Sequence, residues 1–199
     1  LCASDVSADA LAIARQNAAS HNIEIDFIQS DWWQNIEGDW DVTTLRNWFS
    51  DNADLPRLEL ELVAGHFLNS SRAALLAHPE RQLSNQERSH MGAWLAQLRT
   101  HTPLAYLLGT QEFWGLDLKV TPSVLIPRPE TELLVEIAVD HIQNNAQIVD
   151  LGTGSGAIII AVGHCLREKG ISAHLCASDV SADALAIARQ NAASHNIEI

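Results

Sequence analysis

Residues 148–160 read IVDLGTGSGAIII, and this stretch decides the fold of the chain. A short apolar run passes through an acid, Asp150, and then meets three glycines at alternate positions, Gly152, Gly154 and Gly156. Glycine is needed where the backbone takes a positive φ or where a ligand approaches it closely. The pattern predicts a strand, a tight turn and a helix whose first N–H groups face a ligand above the turn.

A second unit of the same kind follows directly. Residues 173–178 form an apolar run that ends at Asp179, and a new helix is predicted to start at Ser181. In open α/β sheets ligands bind at the carboxyl ends of the strands, so Asp179 is placed to bind a ribose diol. The turn also satisfies G-x-G-x-x-A. These features leave a nicotinamide dinucleotide and S-adenosylmethionine open as ligands.

The composition limits the classes of partner. The 199 residues are 47% hydrophobic and carry a net charge of −13. So acidic a chain argues against direct nucleic-acid binding, which needs basic patches, and favours a basic protein partner. The three cysteines form no cluster with metal-ligand spacing, so we expect no metal site and a reducing, cytoplasmic location. No charge-free apolar run reaches ~18 residues, so we expect no membrane partner.

The two ends of the chain are identical. Residues 1–25 and residues 175–199 both read LCASDVSADALAIARQNAASHNIEI. Natural repeats diverge, so this identity indicates duplication of one piece. The sequence reads most naturally when residues 1–42 follow residue 199, which indicates a rearranged or wrongly joined chain, or an engineered permutation.

The two copies compete for one place in the predicted sheet. Asp5 and Asp179 are equivalent by sequence, so the sequence alone leaves open which of them lies at the site. We predict that the second copy pairs with the strand at 148–151, because a single crossover helix tethers it there. The first copy would then lie at a sheet edge or exchange with a second molecule in a swapped dimer.

The region between the copies shows two kinds of sequence pattern. Helical periodicity in four stretches between residues 43 and 101 predicts a small helical domain, in which Leu58 and Leu62 mark one face of the second helix. Ser84 and Glu87 form a capping box at the start of the fourth helix. Residues 103–129 are predicted to be strand and turn.

Within that strand-and-turn region, alternation over residues 113–120 and a short apolar run at 124–126 predict two strands of a hairpin. A helix is predicted from Thr131 to about residue 144, after a loop stiffened by two prolines.

Several runs resemble the release-factor glutamine methyltransferase family, which methylates a side-chain amide with S-adenosylmethionine. These runs are PLAYLLG at 103–109, EFWGL at 112–116, VLIPRPETE at 124–132, DLGTGSG at 150–156 and QSDW at 29–32. The resemblance implies an α/β fold: a Rossmann-like class I methyltransferase domain with an incomplete sheet, a β-hairpin linker and a small helical domain. The predicted bounds are 1–42 for a displaced strand–helix–strand piece, 43–101 for the helical substrate-recognition domain, 102–130 for the linker and 131–199 for the cofactor-binding part.

The resemblance also implies a site for S-adenosyl-L-methionine and a protein substrate, the glutamine of peptide-chain release factors. The implied cofactor-binding residues are Gly152, Thr153, Gly154, Ser155, Gly156, Asp179, Asp31 and Trp32. Within this set Asp179 corresponds to the ribose-binding acid, and Trp32 to the tryptophan that lines the adenine pocket.

One departure from the family pattern concerns catalysis. The family carries Asn-Pro-Pro-Tyr after its fourth strand, where it holds the substrate amide, and these 199 residues contain no Asn-Pro dipeptide. No catalytic residue is therefore assigned. Two further hypotheses remain: a catalytically dead chain that only binds S-adenosylmethionine, and a nicotinamide-dependent oxidoreductase, against which the linker and QSDW runs weigh.

Overall fold

The computed structural model describes residues 2–5, 8–20, 26–29 and 43–199. Two compact units make up the chain, residues 1–90 and residues 91–199.

The first unit combines a small parallel sheet with short helices. Its elements are β1 (Cys2–Asp5), α1 (Ala8–Ser20), β2 (Asp26–Gln29), α2 (Leu45–Asp51), α3 (Arg57–Leu68), α4 (Arg72–Ala77) and the start of α5 (Asn85–Arg99). β1 pairs with β2, with Cys2 opposite Asp26. The four helices predicted between residues 43 and 101 are confirmed as α2 to α5.

Side-chain caps fix where these helices begin. The capping box of α5 is confirmed: the Glu87 N–H donates to Ser84 Oγ at 3.2 Å, and the Ser84 N–H donates to Glu87 Oε2 at 2.8 Å. Ser71 Oγ caps α4 in the same way by accepting from the Ala74 N–H at 3.2 Å. Each contact satisfies a donor that the first helical turn leaves without an intrahelical partner.

The face of α3 that Leu58 and Leu62 mark is not its buried face. Leu58 is 51% exposed and Leu62 is 36% exposed, whereas the buried positions are Leu60, Glu61, Val63, Ala64 and Leu68. Glu61 can lie on the buried face because its carboxylate accepts from Arg57 Nε and Arg72 Nε, both at 2.9 Å. A buried carboxylate is tolerated only when it is paired in this way.

The second unit is a strand–helix–strand–helix fold with a hairpin packed against it. Its elements after α5 are α6 (Leu104–Leu108), β3 (Thr110–Phe113), β4 (Leu116–Lys119), α7 (Glu132–His141), β5 (Ala146–Leu151), α8 (Ala157–Glu168), β6 (Ala173–Ser178) and α9 (Ala182–Ser194). β5 and β6 are parallel, with Val149 opposite Cys176. This register confirms that the second copy, and not the first, pairs with the strand at 148–151.

The hairpin differs from its prediction in three respects. The alternating run at 113–120 is interrupted by a two-residue turn, because Trp114 and Gly115 both take a positive φ, 56° and 70°. α6 forms where strand and turn were predicted. Residues 124–126 form no strand; the Val124 N–H closes a turn on Thr121 O at 3.0 Å.

The core of the second unit lies on one face of the β5–β6 pair. α8 contributes most of it, with Ile159, Ile160 and Val162 fully buried, and Phe113 and Leu118 of the hairpin join the same cluster. Each strand alternates between packed and exposed residues. The result is a partial Rossmann-like α/β layer in which the glycine turn lies at the carboxyl end of β5.

Candidate cofactor site

The glycine turn is tied to the ends of both parallel strands. The Gly152 and Thr153 N–H groups donate to Ser178 O at 2.8 and 3.0 Å. Thr153 Oγ1 donates to Asp150 Oδ2 at 2.7 Å, which joins the turn to the acid that precedes it. These bonds hold the turn in one conformation before any ligand arrives.

The three glycines have different surroundings. Gly152, Gly154 and Gly156 all take a positive φ, 77°, 56° and 84°. A Cβ placed on Gly152 or Gly154 would meet no atom within 4 Å, so space is open beside the turn at both positions. A Cβ on Gly156 would lie 2.8 Å from Ile160 Cδ1 and 3.2 Å from Ala188 Cβ. The first two glycines therefore leave room for a ligand, and the third allows close packing of the turn on α9.

Asp179 connects the turn to the start of α9. Its Oδ2 accepts from the Gly154 N–H and its Oδ1 accepts from the Ser181 N–H, both at 2.9 Å. These backbone hydrogen bonds, first from Ser181 and then from Gly154, lower the pKa of Asp179 below its ordinary value. The carboxylate is ionised at neutral pH, and each oxygen keeps a lone pair that can accept a ligand hydroxyl.

These residues fit an adenosine-type cofactor. An ionised, half-buried acid beside an open glycine turn is suited to a ribose diol, and the turn leads into the N-terminus of α8, where a ligand carboxylate is favoured. Thr153 and Ser155 are buried, and the Thr153 hydroxyl is engaged by Asp150. Asp31 and Trp32 lie outside the described residues.

Asn191 is a residue of the site that the sequence analysis did not single out. It is 2% exposed, and its Nδ2 donates to Ser155 O of the glycine turn at 2.8 Å. The same side chain bonds to the backbone of Lys119 at the end of β4. A sequence signal exists, because Asn191 interrupts the apolar positions Ala184, Ile187, Ala188 and Ala192 on the buried face of α9.

Two family models match separate parts of the chain. Residues 46–109 match the model described as PrmC N-terminal domain, and residues 129–199 match the model described as methyltransferase small domain. The second match contains the glycine turn, Asp179 and Asn191.

Curated relatives agree with both models. The release factor glutamine methyltransferase of Coxiella burnetii is 44% identical over 145 residues, which are 72% of this chain and 51% of the relative. That of Bordetella pertussis is 45% identical over 156 residues, which are 76% of this chain and 55% of the relative. That of Escherichia coli is 38% identical over 141 residues, which are 70% of this chain and 50% of the relative. The chain belongs to the release factor glutamine methyltransferase family. It spans about half the length of these relatives.

Family membership identifies the β5–α8–β6–α9 layer as part of a Rossmann-like methyltransferase domain. Within the part of the chain that the structure describes, no helix is long and apolar enough to cross a membrane. No group of three or more His, Cys, Asp or Glu side chains among the described residues could hold a metal ion.

Proposed function

We propose that the glycine turn between β5 and α8 binds S-adenosyl-L-methionine, and that the parent enzyme methylates the glutamine side-chain amide of peptide-chain release factors. The observation that carries the proposal is the position of Asp179. Its carboxylate is held by two backbone N–H groups, 2.9 Å away, directly beside glycines that face open space. The names of the relatives support the substrate.

The residues of the proposed site contact different parts of the cofactor. Asp179 accepts the ribose hydroxyls, because its oxygens are ionised and each retains a free lone pair. Gly152 and Gly154 allow the amino-acid end of the cofactor to approach the backbone closely. Asp31 and Trp32 are proposed to complete the site, with Trp32 stacking on the adenine.

When bound, S-adenosylmethionine supplies an electrophilic methyl group. An amide nitrogen is a poor nucleophile, so its position and orientation relative to that methyl group account for much of the rate. The family holds the amide with Asn-Pro-Pro-Tyr, which is absent from these 199 residues. We therefore expect this polypeptide to bind the cofactor weakly and to transfer no methyl group. A chain that only binds S-adenosylmethionine is the second candidate function.

Partner and location follow from charge and cysteine chemistry. The net charge of −13 favours a basic protein surface over nucleic acid as the partner. Cys165 and Cys176 are free, as is usual in a reducing compartment, and we propose a cytoplasmic location. Because residues 1–25 and residues 175–199 have the same sequence, we also propose that the duplicated segment can exchange between two molecules; size-exclusion chromatography across a concentration series tests this dimer.

Two measurements on the 199-residue chain test the proposed function. Calorimetric titration should detect S-adenosylmethionine and not a nicotinamide dinucleotide; the reverse preference would contradict the proposed cofactor and favour an oxidoreductase. Labelled methyl transfer to a release factor should stay at background. Transfer that Asp179→Ala abolishes would confirm the methyltransferase activity and contradict the expected lack of turnover.

A further inference from the structure

A buried asparagine joins the glycine turn to the hairpin. Asn191 Oδ1 accepts from the Lys119 N–H at 2.7 Å, and Asn191 Nδ2 donates to Lys119 O at 3.0 Å and to Ser155 O at 2.8 Å. Both N–H groups of the amide and its oxygen are used, although the side chain is only 2% exposed. Lys119 ends β4, and Ser155 belongs to the glycine turn, so one side chain bonds to both segments.

Residues near Asn191 in sequence also contact the glycine turn or the hairpin. Ala188, one helical turn earlier, lies against Gly156 of the glycine turn. His195, just after α9, has its Nε2 at 2.8 Å from Asp117 O of the hairpin. Gln190 Oε1 accepts from Lys119 Nζ at 2.7 Å. Residues 188–195 thus contact both the glycine turn and the hairpin, and Asn191 bonds to both segments.

We propose that Asn191 is a positioning residue that couples the cofactor turn to the hairpin, so that a ligand at the turn also restrains the hairpin. The effect on ligand binding rests on the proposed function. The physical basis is that this buried amide bonds to both segments, so movement of either segment away from it leaves buried polar groups unpaired. A ligand that immobilises the turn therefore reduces the opening of the hairpin through Asn191.

The duplication supplies a matched control. Asn17 has the same sequence neighbours as Asn191, because it occupies the same position in the first copy. The hydrogen bonds to Lys119 and to Ser155 are made by Asn191. Asn17→Ala changes the same residue in the same local sequence and should leave the coupling intact.

Amide hydrogen exchange by NMR on the full 199-residue chain measures the coupling directly. The Gly156 amide, which donates to Thr153 O at 2.8 Å, reports on the turn, and the Val120 amide, which donates to Gly109 O at 3.0 Å, reports on the hairpin. Without ligand, Asn191→Ala should speed exchange at both by about tenfold, and Asn17→Ala should change neither. With S-adenosylmethionine, exchange should slow at both amides in the wild type and only at Gly156 in Asn191→Ala.

A second control separates coupling from general loss of stability. Val135→Ala removes two methyl groups from the same core, where Val135 is fully buried, without touching Asn191. This variant should exchange faster overall and still show ligand-dependent slowing at Val120. Loss of that slowing in Val135→Ala as well would overturn a specific role for Asn191.

The remaining outcomes distinguish this inference from the proposed function. If S-adenosylmethionine does not bind the wild type, the proposed function fails, but the ligand-free comparison still decides the role of Asn191. Unchanged exchange in ligand-free Asn191→Ala would overturn the role itself. If Asn191→Ala does not fold, Asn191→Asp keeps an acceptor for the Lys119 N–H and loses both donated bonds, and the same criteria apply to it.

Discussion

The three glycines of the turn should respond differently to alanine, which separates a ligand-facing role from a packing role. A Cβ at any of them is strained by about 1–2 kcal/mol, because all three take a positive φ, 56° to 84°. The added Cβ also restricts the unfolded chain, which offsets about 0.4–1 kcal/mol in each case. Gly154→Ala adds no clash, since no atom lies within 4 Å, so its net cost in stability is about 0–1.5 kcal/mol.

Gly156→Ala carries a further packing term. Its Cβ would lie 2.8 Å from Ile160 Cδ1 and 3.3 Å from Ala188 Cα, and relieving such overlaps costs about 1–3 kcal/mol. Ile160 can adjust its terminal methyl, but the Ala188 backbone can give way only if α9 moves. We therefore expect Gly156→Ala to lower the free energy of unfolding by about 1–3 kcal/mol more than Gly154→Ala does.

Urea denaturation and calorimetry together test this division. Gly154→Ala should keep most of its stability and bind S-adenosylmethionine at least about tenfold more weakly, since the Cβ enters the space proposed for the ligand. Equal losses of stability in the two variants would refute the packing role of Gly156. Unchanged affinity in Gly154→Ala would refute the ligand-facing role of the open turn.

Two further predictions concern helices α3 and α5. Hydrogen bonds from Arg57 and then Arg72 lower the pKa of Glu61, so its contribution to stability is present above pH 4.5 and is lost as the pH falls through the lower folded pKa. Glu61→Gln should therefore lower the free energy of unfolding by about 1–3 kcal/mol at pH 7 and flatten this pH dependence in acid titrations followed by circular dichroism. An unchanged acid transition would contradict the pairing. Ser84→Ala removes the N-cap of α5 and should lower the free energy of unfolding by about 1 kcal/mol in urea, and Ser89→Ala, an exposed position inside the same helix, should show no comparable loss.

The sequence was sufficient to predict the segments whose pattern is local. The glycine turn, α8 and β6 follow from an apolar strand, alternating glycines and an acid, which are features within a few residues of one another. The pairing of the second copy with β5 was predictable as well, because it depends on a short crossover and not on side-chain detail.

The hairpin was mispredicted because its turn has an unusual residue. Two-residue turns with a positive φ at both central positions normally carry Asn-Gly or Asp-Gly, and here Trp114 precedes Gly115. The alternation of apolar residues therefore seemed to continue through the turn. Trp114 is held there by contacts distant in sequence: its N–H donates to Glu132 Oε1 at 2.9 Å, and its indole Nε1 donates to Cys165 Sγ at 3.0 Å.

Buried polar residues account for the other differences. The buried face of α3 includes Glu61 because Arg57 of the same helix and Arg72 of α4 pair with its carboxylate. The spacing of leucines in the sequence does not show this pairing. Asn191 likewise falls among the apolar positions of α9, but the sequence does not show that Lys119, 72 positions earlier, supplies its partners. Long-range hydrogen bonds of this kind are set by tertiary structure and leave only a weak trace in the local pattern.

The most direct test of the account compares the two sequence-identical aspartates by calorimetric titration with S-adenosylmethionine. Asp179 lies beside the glycine turn, and Asp5 ends β1, opposite Gln29 of β2. Asp179→Ala and Asp5→Ala make the same change in the same sequence context. We predict that Asp179→Ala abolishes measurable binding and that Asp5→Ala binds as the wild type does. Loss of binding in Asp5→Ala with retention in Asp179→Ala would contradict the assignment of the site.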